Sequence, residues 1–185
     1  KEGITTTEKK ETPEGLWHKC SSCKHIVPSK DHASRMYVCE KCGYHDRINS
    51  QEYFEMLLDE DQDAIELNEN LSSADPLNFV DTKKYTDRIK ESIKKTELKD
   101  AIRTAKGKVN GNDLIIACMD FNFIGGSMGS VMGETIARAI DYGREHKMPV
   151  MIISKSGGAR MMEAAFSLMH MAKTSAKLAL LAKEG

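Results

Sequence analysis

Cys20-Ser21-Ser22-Cys23 is followed, fifteen residues later, by Cys39-Glu40-Lys41-Cys42. No other feature of the chain limits its fold so tightly. Each C-x-x-C puts two thiolates on one side of a tight turn, and two such turns facing each other complete a tetrahedron of sulfur ligands suited to Zn2+. Four cysteine ligands leave no open coordination position, so Cys20, Cys23, Cys39 and Cys42 are expected to hold a structural zinc in an amino-terminal ribbon over residues 15–48. Gly43, directly after the second turn, suits a left-handed backbone. Paired redox dithiols are the competing reading, but the surrounding pattern is not thioredoxin-like. His18, His25, His32 and His45 lie nearby and are read as surface residues, since four cysteines already suffice. Basic residues outnumber acidic ones in the module, with Tyr37 and Tyr44 interleaved. Nucleic-acid binding is therefore weighed, and set behind a solvated or protein-docking face.

A second pattern occupies Pro149 to Glu163. The apolar run Val150 to Ile153 reads as a buried strand. Ser156-Gly157-Gly158 then breaks it, and Ala159 to Lys183 reads as one long helix. Glycines let a ligand approach the backbone, and the first amides of a helix have no intrahelical partner. Gly125-Gly126-Ser127-Met128-Gly129 repeats the arrangement ahead of another helix. Gly125, Gly129 and Gly133 recur every four residues, which on a helix makes a groove for close packing. Along the long helix, Ala164, Leu168, Ala172, Ser175, Ala179 and Ala182 form a stripe that implies tight packing, and Met161, Met162, Met169 and Met171 read as adaptable core.

The remaining segments complete an α/β chain. Residues 1–14 are polar and are expected to form a disordered tail. They have no apolar core and are not read as a secretory signal. Residues 49–82 are expected to be an acidic helical connector, opened by a capping box at Asn49 and Glu52 with Phe54, Leu57 and Leu58 on one face. Residues 83–185 form the main domain. Lys83 to Leu98 is an amphipathic helix with Tyr85, Ile89 and Ile93 inward and a basic outer face suited to a solvated surface or a phosphorylated ligand. Ala101–Val109 and Leu114–Phe123 are strands joined by an Asn110-Gly111 hairpin. The run Leu114 to Cys118 is apolar throughout and reads as buried on both faces, with Cys118 a core residue. Net charge is −1, which favours no class of partner. No apolar run is long enough to cross a bilayer, and the cysteine usage points to a reducing, cytoplasmic setting.

Gly125-x-Ser127-x-Gly129 matches a hydrolase nucleophile elbow in form. A triad needs an acid and then a histidine further on, and only His146 and His170 follow, each within a helical pattern. Hydrolysis is set aside. Two glycine turns presenting backbone N–H groups point instead to oxyanion stabilisation without a side-chain nucleophile.

Taken together, the ribbon, Asp75-Pro76-Leu77-Asn78-Phe79, Asp81-Thr82-Lys83-Lys84-Tyr85, the Gly125–Gly133 stretch, Ser156-Gly157-Gly158-Ala159-Arg160-Met161 and Met171-Ala172-Lys173-Thr174-Ser175-Ala176 resemble the carboxyltransferase β subunits of bacterial acetyl-CoA carboxylase. The resemblance runs from about Gly15 to Gly185. It implies a crotonase-like spiral of ββα units behind the zinc ribbon. It also implies pairing with a carboxyltransferase α subunit in an α2β2 assembly, working with biotin carboxylase and biotin carboxyl carrier protein. The implied reaction moves a carboxyl group from carboxybiotin on the carrier to acetyl-CoA, giving malonyl-CoA for fatty acid synthesis. Backbone amides would hold the enolate, and no protein base would be needed. Gly125, Gly126, Ser156, Gly157, Gly158 and Arg160 are carried over as substrate-side residues, with an Arg160–Glu163 ion pair as the other role for that arginine. The oxyanion glycine pair of the family falls beyond Gly185, so no catalytic residue is assigned and the chain is expected to be a shortened, inactive form. The alternative is a zinc-ribbon module that binds nucleic acid or protein on a non-catalytic scaffold.

Overall fold

The structure, a computed structural model, describes residues 15–59 and 64–184. The expected amino-terminal tail lies outside them. Two compact units divide at Ile48 and Asn49.

The first unit is built on two copies of one turn. β1 (Trp17–Lys19) and β2 (Ile26–Pro28) form an antiparallel hairpin, and α1 (Ser29–Ser34) follows. In the first turn Cys20 N–H donates to His25 O and Lys24 N–H to Cys20 O. In the second, Cys39 N–H donates to Tyr44 O and Gly43 N–H to Cys39 O. The same offset places Lys24 (φ 62) and Gly43 (φ 68) at equivalent left-handed positions. Glycine is the low-cost residue there, and the first turn carries lysine instead.

The second unit centres on a sheet of order β3-β4-β5-β6: β3 (Ile65–Leu67), β4 (Ile102–Val109), β5 (Asn112–Met119) and β6 (Val150–Ile153). β4 runs antiparallel to both β3 and β5, and β6 runs parallel to β5. Asn110 (φ 50) and Gly111 (φ 78) make the two-residue turn between β4 and β5, as their sequence demands. Ile115, Ile116, Ala117 and Cys118 are wholly buried because helices cover both faces. Ala117 and Met119 pack with Met132, Ile136 and Ile140 of α4 (Ser130–Glu145). Ile116 and Cys118 pack with Phe54 and Leu58, at and just beyond the end of α2 (Ser50–Leu57). Strand alternation thus explains the continuous apolar run.

Several expectations change. Residues 49–82 supply both α2, with its Asn49–Glu52 capping box, and the edge strand β3. Within this range Phe54 and Leu58 join the second unit's core, and β3 joins its sheet. β6 is an edge strand with Met151 exposed. The long helix starts later than expected. A 3-10 turn (Met161–Glu163) and a kink at Ala164 (φ 44) precede α5 (Ala165–Glu184). The break turns Glu163 inward. Ser167, His170, Thr174, Lys177 and Leu181 are the less exposed positions of α5, at helical spacing, whereas the small-residue stripe faces out. Met162 is buried, but Met161, Met169 and Met171 are exposed, together with Phe166 and Leu168. Of the three glycines at spacing four only Gly133 is helical, and a Cβ there would sit 2.3 Å from the His170 ring. α3 (Tyr85–Thr96) buries Tyr85 and Ile89 as expected. On its outer side Lys83 pairs with Glu91 and Arg88 with Asp81. No helix of the described residues is long and apolar enough to cross a membrane.

Candidate metal centre and glycine turns

The four cysteine sulfurs lie within 4.8 Å of one another. Cys20 Sγ is 3.7 Å from Cys42 Sγ, and Cys23 Sγ is 3.7 Å from Cys39 Sγ. A tetrahedron with Zn–S bonds of about 2.3 Å has edges of about 3.8 Å, whereas a disulfide needs about 2.05 Å. The cluster therefore fits a zinc ion and excludes paired disulfides. The Cys23 backbone N–H draws the Cys20 thiol down to about 7. Cys23 is drawn down by the His25 N–H, but burial and its thiol neighbours push it up to about 11. Cys118 is the remaining cysteine; burial pushes its thiol up to about 11, as for an inert core residue.

The two glycine turns are joined to each other. Gly157 N–H donates to Gly125 O at 3.0 Å, Met128 N–H to Gly158 O at 2.8 Å and Arg160 N–H to Met128 O at 2.8 Å. Gly126 N–H is taken by Phe123 O, and Gly158 N–H by the Ser156 hydroxyl. The amides of Gly126, Gly157 and Gly158 are thus engaged within the protein, contrary to the expectation that both turns present them to a ligand. Gly126 has φ +66, and a Cβ there would lie 2.5 Å from Lys155 O. Gly126→Ala is therefore expected to lower stability by at least about 1–2 kcal/mol for the left-handed backbone, with the steric clash added. A urea-unfolding midpoint equal to wild type would contradict this.

Arg160 is the largest fully buried side chain of the described residues. Its guanidinium meets Asp100 through two bonds of 2.9 and 3.1 Å. It also donates to Ser127 O at 2.7 Å, Ser127 Oγ at 3.1 Å, Ser73 Oγ at 2.8 Å and Tyr85 Oη at 3.1 Å, and pairs with Glu163 at 3.3 Å. Burial works against its charge, but its contacts with Asp100 and Tyr85 together outweigh that and hold its pKa above the ordinary arginine value. Burial likewise works against Glu163, yet the Tyr85 hydroxyl, Ser130 and Arg160 hold it below the usual carboxylate range. Glu163 also accepts from Ser130 N–H at 2.6 Å, so the amino end of α4 is occupied by the protein's own carboxylate. Arg160 has no surface left for a substrate phosphate. The ion-pair role is the one present, and its substrate-side assignment is withdrawn. Ser127 Oγ is held by Arg160, which cannot act as a base, so the elbow motif has no triad around it. Gly125, Ser156 and Gly157 remain at least partly accessible.

Sequence reasoning missed Asp100, Tyr85 and Ser73 as partners of Arg160. It also misplaced one histidine. His32 is buried, its ring stacked on His18 with centroids 3.9 Å apart, and both face Asp46. The burial of His32 is the correction to its reading as a surface residue.

Residues 60–184 match the carboxyl transferase domain family. The chain belongs to that family. Among relatives of this carboxyl transferase chain, the acetyl-coenzyme A carboxylase carboxyl transferase subunit beta of Pedobacter heparinus is 63% identical over 99% of this chain and 66% of the relative. The same subunit of Amoebophilus asiaticus is 59% identical over 97% of this chain and 64% of the relative. The chain thus spans slightly less than two thirds of these relatives' length. The motif resemblance is borne out by these names. Among solved structures, transcarboxylase 12S superposes with a TM-score of 0.56 at 22% identity, over 69% of this chain and 22% of that one. A Pseudomonas malonate decarboxylase heterodimer superposes at 0.54 and 21% identity, over 74% and 49%. At that identity they establish the fold alone: the carboxyl transferase domain is crotonase-like, accompanied by a four-cysteine cluster arranged as in a zinc ribbon.

Proposed function

We propose that this chain is the β-subunit part of an acetyl-CoA carboxylase carboxyltransferase. In this reading it serves transfer of a carboxyl group from biotin, carried on a carrier protein, to acetyl-CoA, yielding malonyl-CoA for fatty acid synthesis in the cytoplasm. The observation that carries the reading is the 63% identity over nearly all of this chain to a protein of that name. The partners are a carboxyltransferase α subunit, the biotin carrier and biotin carboxylase. Zinc on Cys20, Cys23, Cys39 and Cys42 is structural, since four thiolates leave no position for substrate.

In this reading the chain's own residues have particular work. The turns at Gly125–Gly129 and Gly157–Arg160 are hydrogen-bonded into one wall, and Arg160 also bonds to Ser127. Gly125, Ser156 and Gly157 lie on the wall's more accessible side, where the smallest side chains let an acyl thioester approach the backbone. Enolate-holding amides are assigned to residues other than Gly126, Gly157 and Gly158, whose N–H groups are already used. No general base is assigned, in keeping with a reaction in which the biotin side takes the proton.

The test is reverse transfer with the full-length protein and its α subunit. Malonyl-CoA and a biotin analogue should give acetyl-CoA and carboxylated analogue only when both subunits are present. Absence of transfer with both subunits folded and zinc-loaded would overturn the proposal. A salt-sensitive affinity for RNA or DNA, indifferent to malonyl-CoA, would instead favour the zinc-ribbon binding module.

A further inference from the structure

We propose that Asn110-Gly111, in the turn between β4 and β5, is a site of covalent modification by deamidation, and that the carboxylate of Asp59 holds it closed in the native protein. The reaction is intramolecular. The Gly111 backbone nitrogen attacks Cγ of the Asn110 side chain and gives up its proton to solvent. The new N–Cγ bond closes a cyclic imide as the Cγ–Nδ2 bond breaks, and ammonia leaves with a proton from solvent. Water then opens the imide at either carbonyl, leaving aspartate or isoaspartate at position 110. Glycine on the carboxyl side suits the step, because no Cβ shields the attacking nitrogen. Asn110 and Gly111 are both exposed, so water reaches the pair.

Asp59 stands across this route. Its Oδ1 accepts the Asn110 N–H at 2.8 Å and its Oδ2 the Gly111 N–H at 2.8 Å. Bonds to a carboxylate are the stronger kind. The Asp59 N–H donates in turn to Lys108 O at 2.9 Å, and Leu58, next to it, packs in the core with Ala105 and Ile116. The carboxylate is therefore anchored on the same hairpin that it caps. Both turn residues keep left-handed backbones, with φ 50 at Asn110 and φ 78 at Gly111. For ring closure the Gly111 nitrogen must swing toward the Asn110 side chain by rotation about the Cα–C bond of Asn110. That rotation carries its N–H away from Asp59 Oδ2. The imide thus forms only from a locally opened turn, and the two bonds to Asp59 set how seldom that turn opens.

The product works against its own restraint. Asparagine at 110 is neutral, and deamidation puts a second carboxylate beside Asp59, where like charges repel. Isoaspartate also adds a methylene to the main chain, which disturbs the strand register that a two-residue loop fixes. Asp59 then loses its hold. With it goes the contact of the Leu58 side chain on Gly107, where a Cβ would sit 2.8 Å from both Leu58 methyls. One covalent event at an exposed turn is in this way transmitted to the face of β4 and β5 that packs with Phe54 and Leu58.

In the experiment the full-length protein and an Asp59→Ala variant are aged side by side at neutral pH under native conditions. The peptide spanning the turn is followed by mass spectrometry, with fragmentation to separate isoaspartate from aspartate. Conversion at Asn110 is expected to be about tenfold faster in the variant, which lacks the two charge-assisted bonds. An equal rate overturns the proposal, conversion in neither protein included. So does a slower one, which would make the carboxylate the base for the reaction and not its restraint. Wild type alone supplies a second reading that needs no variant to fold. Its Gly111 amide is expected to exchange with solvent at least about tenfold more slowly than the same amide in the guanidinium-unfolded chain, because its proton sits on Asp59. Exchange at the unfolded rate overturns the proposal, as does conversion of native Asn110 as fast as in the unfolded chain. Neither readout depends on carboxyl transfer.

Discussion

Replacing Cys39 with serine is expected to release the four-thiolate zinc and unfold residues 15–48. Structural zinc contributes about 10–16 kcal/mol in ribbons and fingers of this size, which exceeds the whole stability such a unit builds from apolar burial. Cys39 is buried, and its sulfur sits 3.7 Å from Cys23 Sγ, so serine removes one vertex of the tetrahedron. His25, two residues after Cys23, is engaged with Glu40 at 3.1 Å. Zinc content of the purified variant and limited proteolysis of the ribbon check this. Retained metal together with a protease-resistant ribbon would show that the four cysteines are not the ligand set. The second unit should keep its own cooperative unfolding transition, since it has a separate core.

Arg160→Ala should destabilise the second unit by about 3–5 kcal/mol, because it leaves the carboxylates of Asp100 and Glu163 buried without their countercharge. The loss is larger than truncation of an exposed arginine would give, where about 0–1 kcal/mol is usual. It would be read as a lower midpoint in urea for the second unit. Combining Arg160→Met with Asp100→Asn and Glu163→Gln should recover part of the loss, since the stranded charges are then removed. A single-variant midpoint within experimental error of wild type would mean that Arg160 is not the node the hydrogen bonds describe.

The contrast between these two sites explains what the sequence made legible. The cysteine ligands fall in two short turns, each with its own local spacing, so pattern alone assembles the centre. The β4–β5 hairpin and the buried run through Cys118 were legible for the same reason: turn chemistry and apolar continuity are local properties. Arg160 is different. Its partners Asp100 and Tyr85 lie 60 and 75 residues earlier. Only the fold shows that the glycine turn next to it leads inward. Asp100 carries no signal beyond standing ahead of a strand, and Tyr85 reads equally well as an ordinary core residue. Likewise His18 and His32 look like two solvated histidines until the ribbon closes and stacks them. On α5 both candidate faces carry apolar residues, so periodicity did not choose between them; the placement of Ser167 and His170 against earlier segments did. The strand at Ile65–Leu67 was hidden within an acidic stretch, where composition outweighed three residues of alternating pattern.

The joined glycine turns have a consequence for motion. Gly125 O and Gly158 O each accept an amide from the opposite turn, and Arg160 bonds both to Ser127 and, through Asp100, to the start of β4. Neither turn can open by itself without breaking bonds that also hold the other. Their backbone amides therefore belong to one cooperative opening unit, and exchange with solvent at Met128, Gly157 and Arg160 is governed by a shared equilibrium, not by three local ones. A molecule resting on either turn is therefore expected to slow the exchange of both.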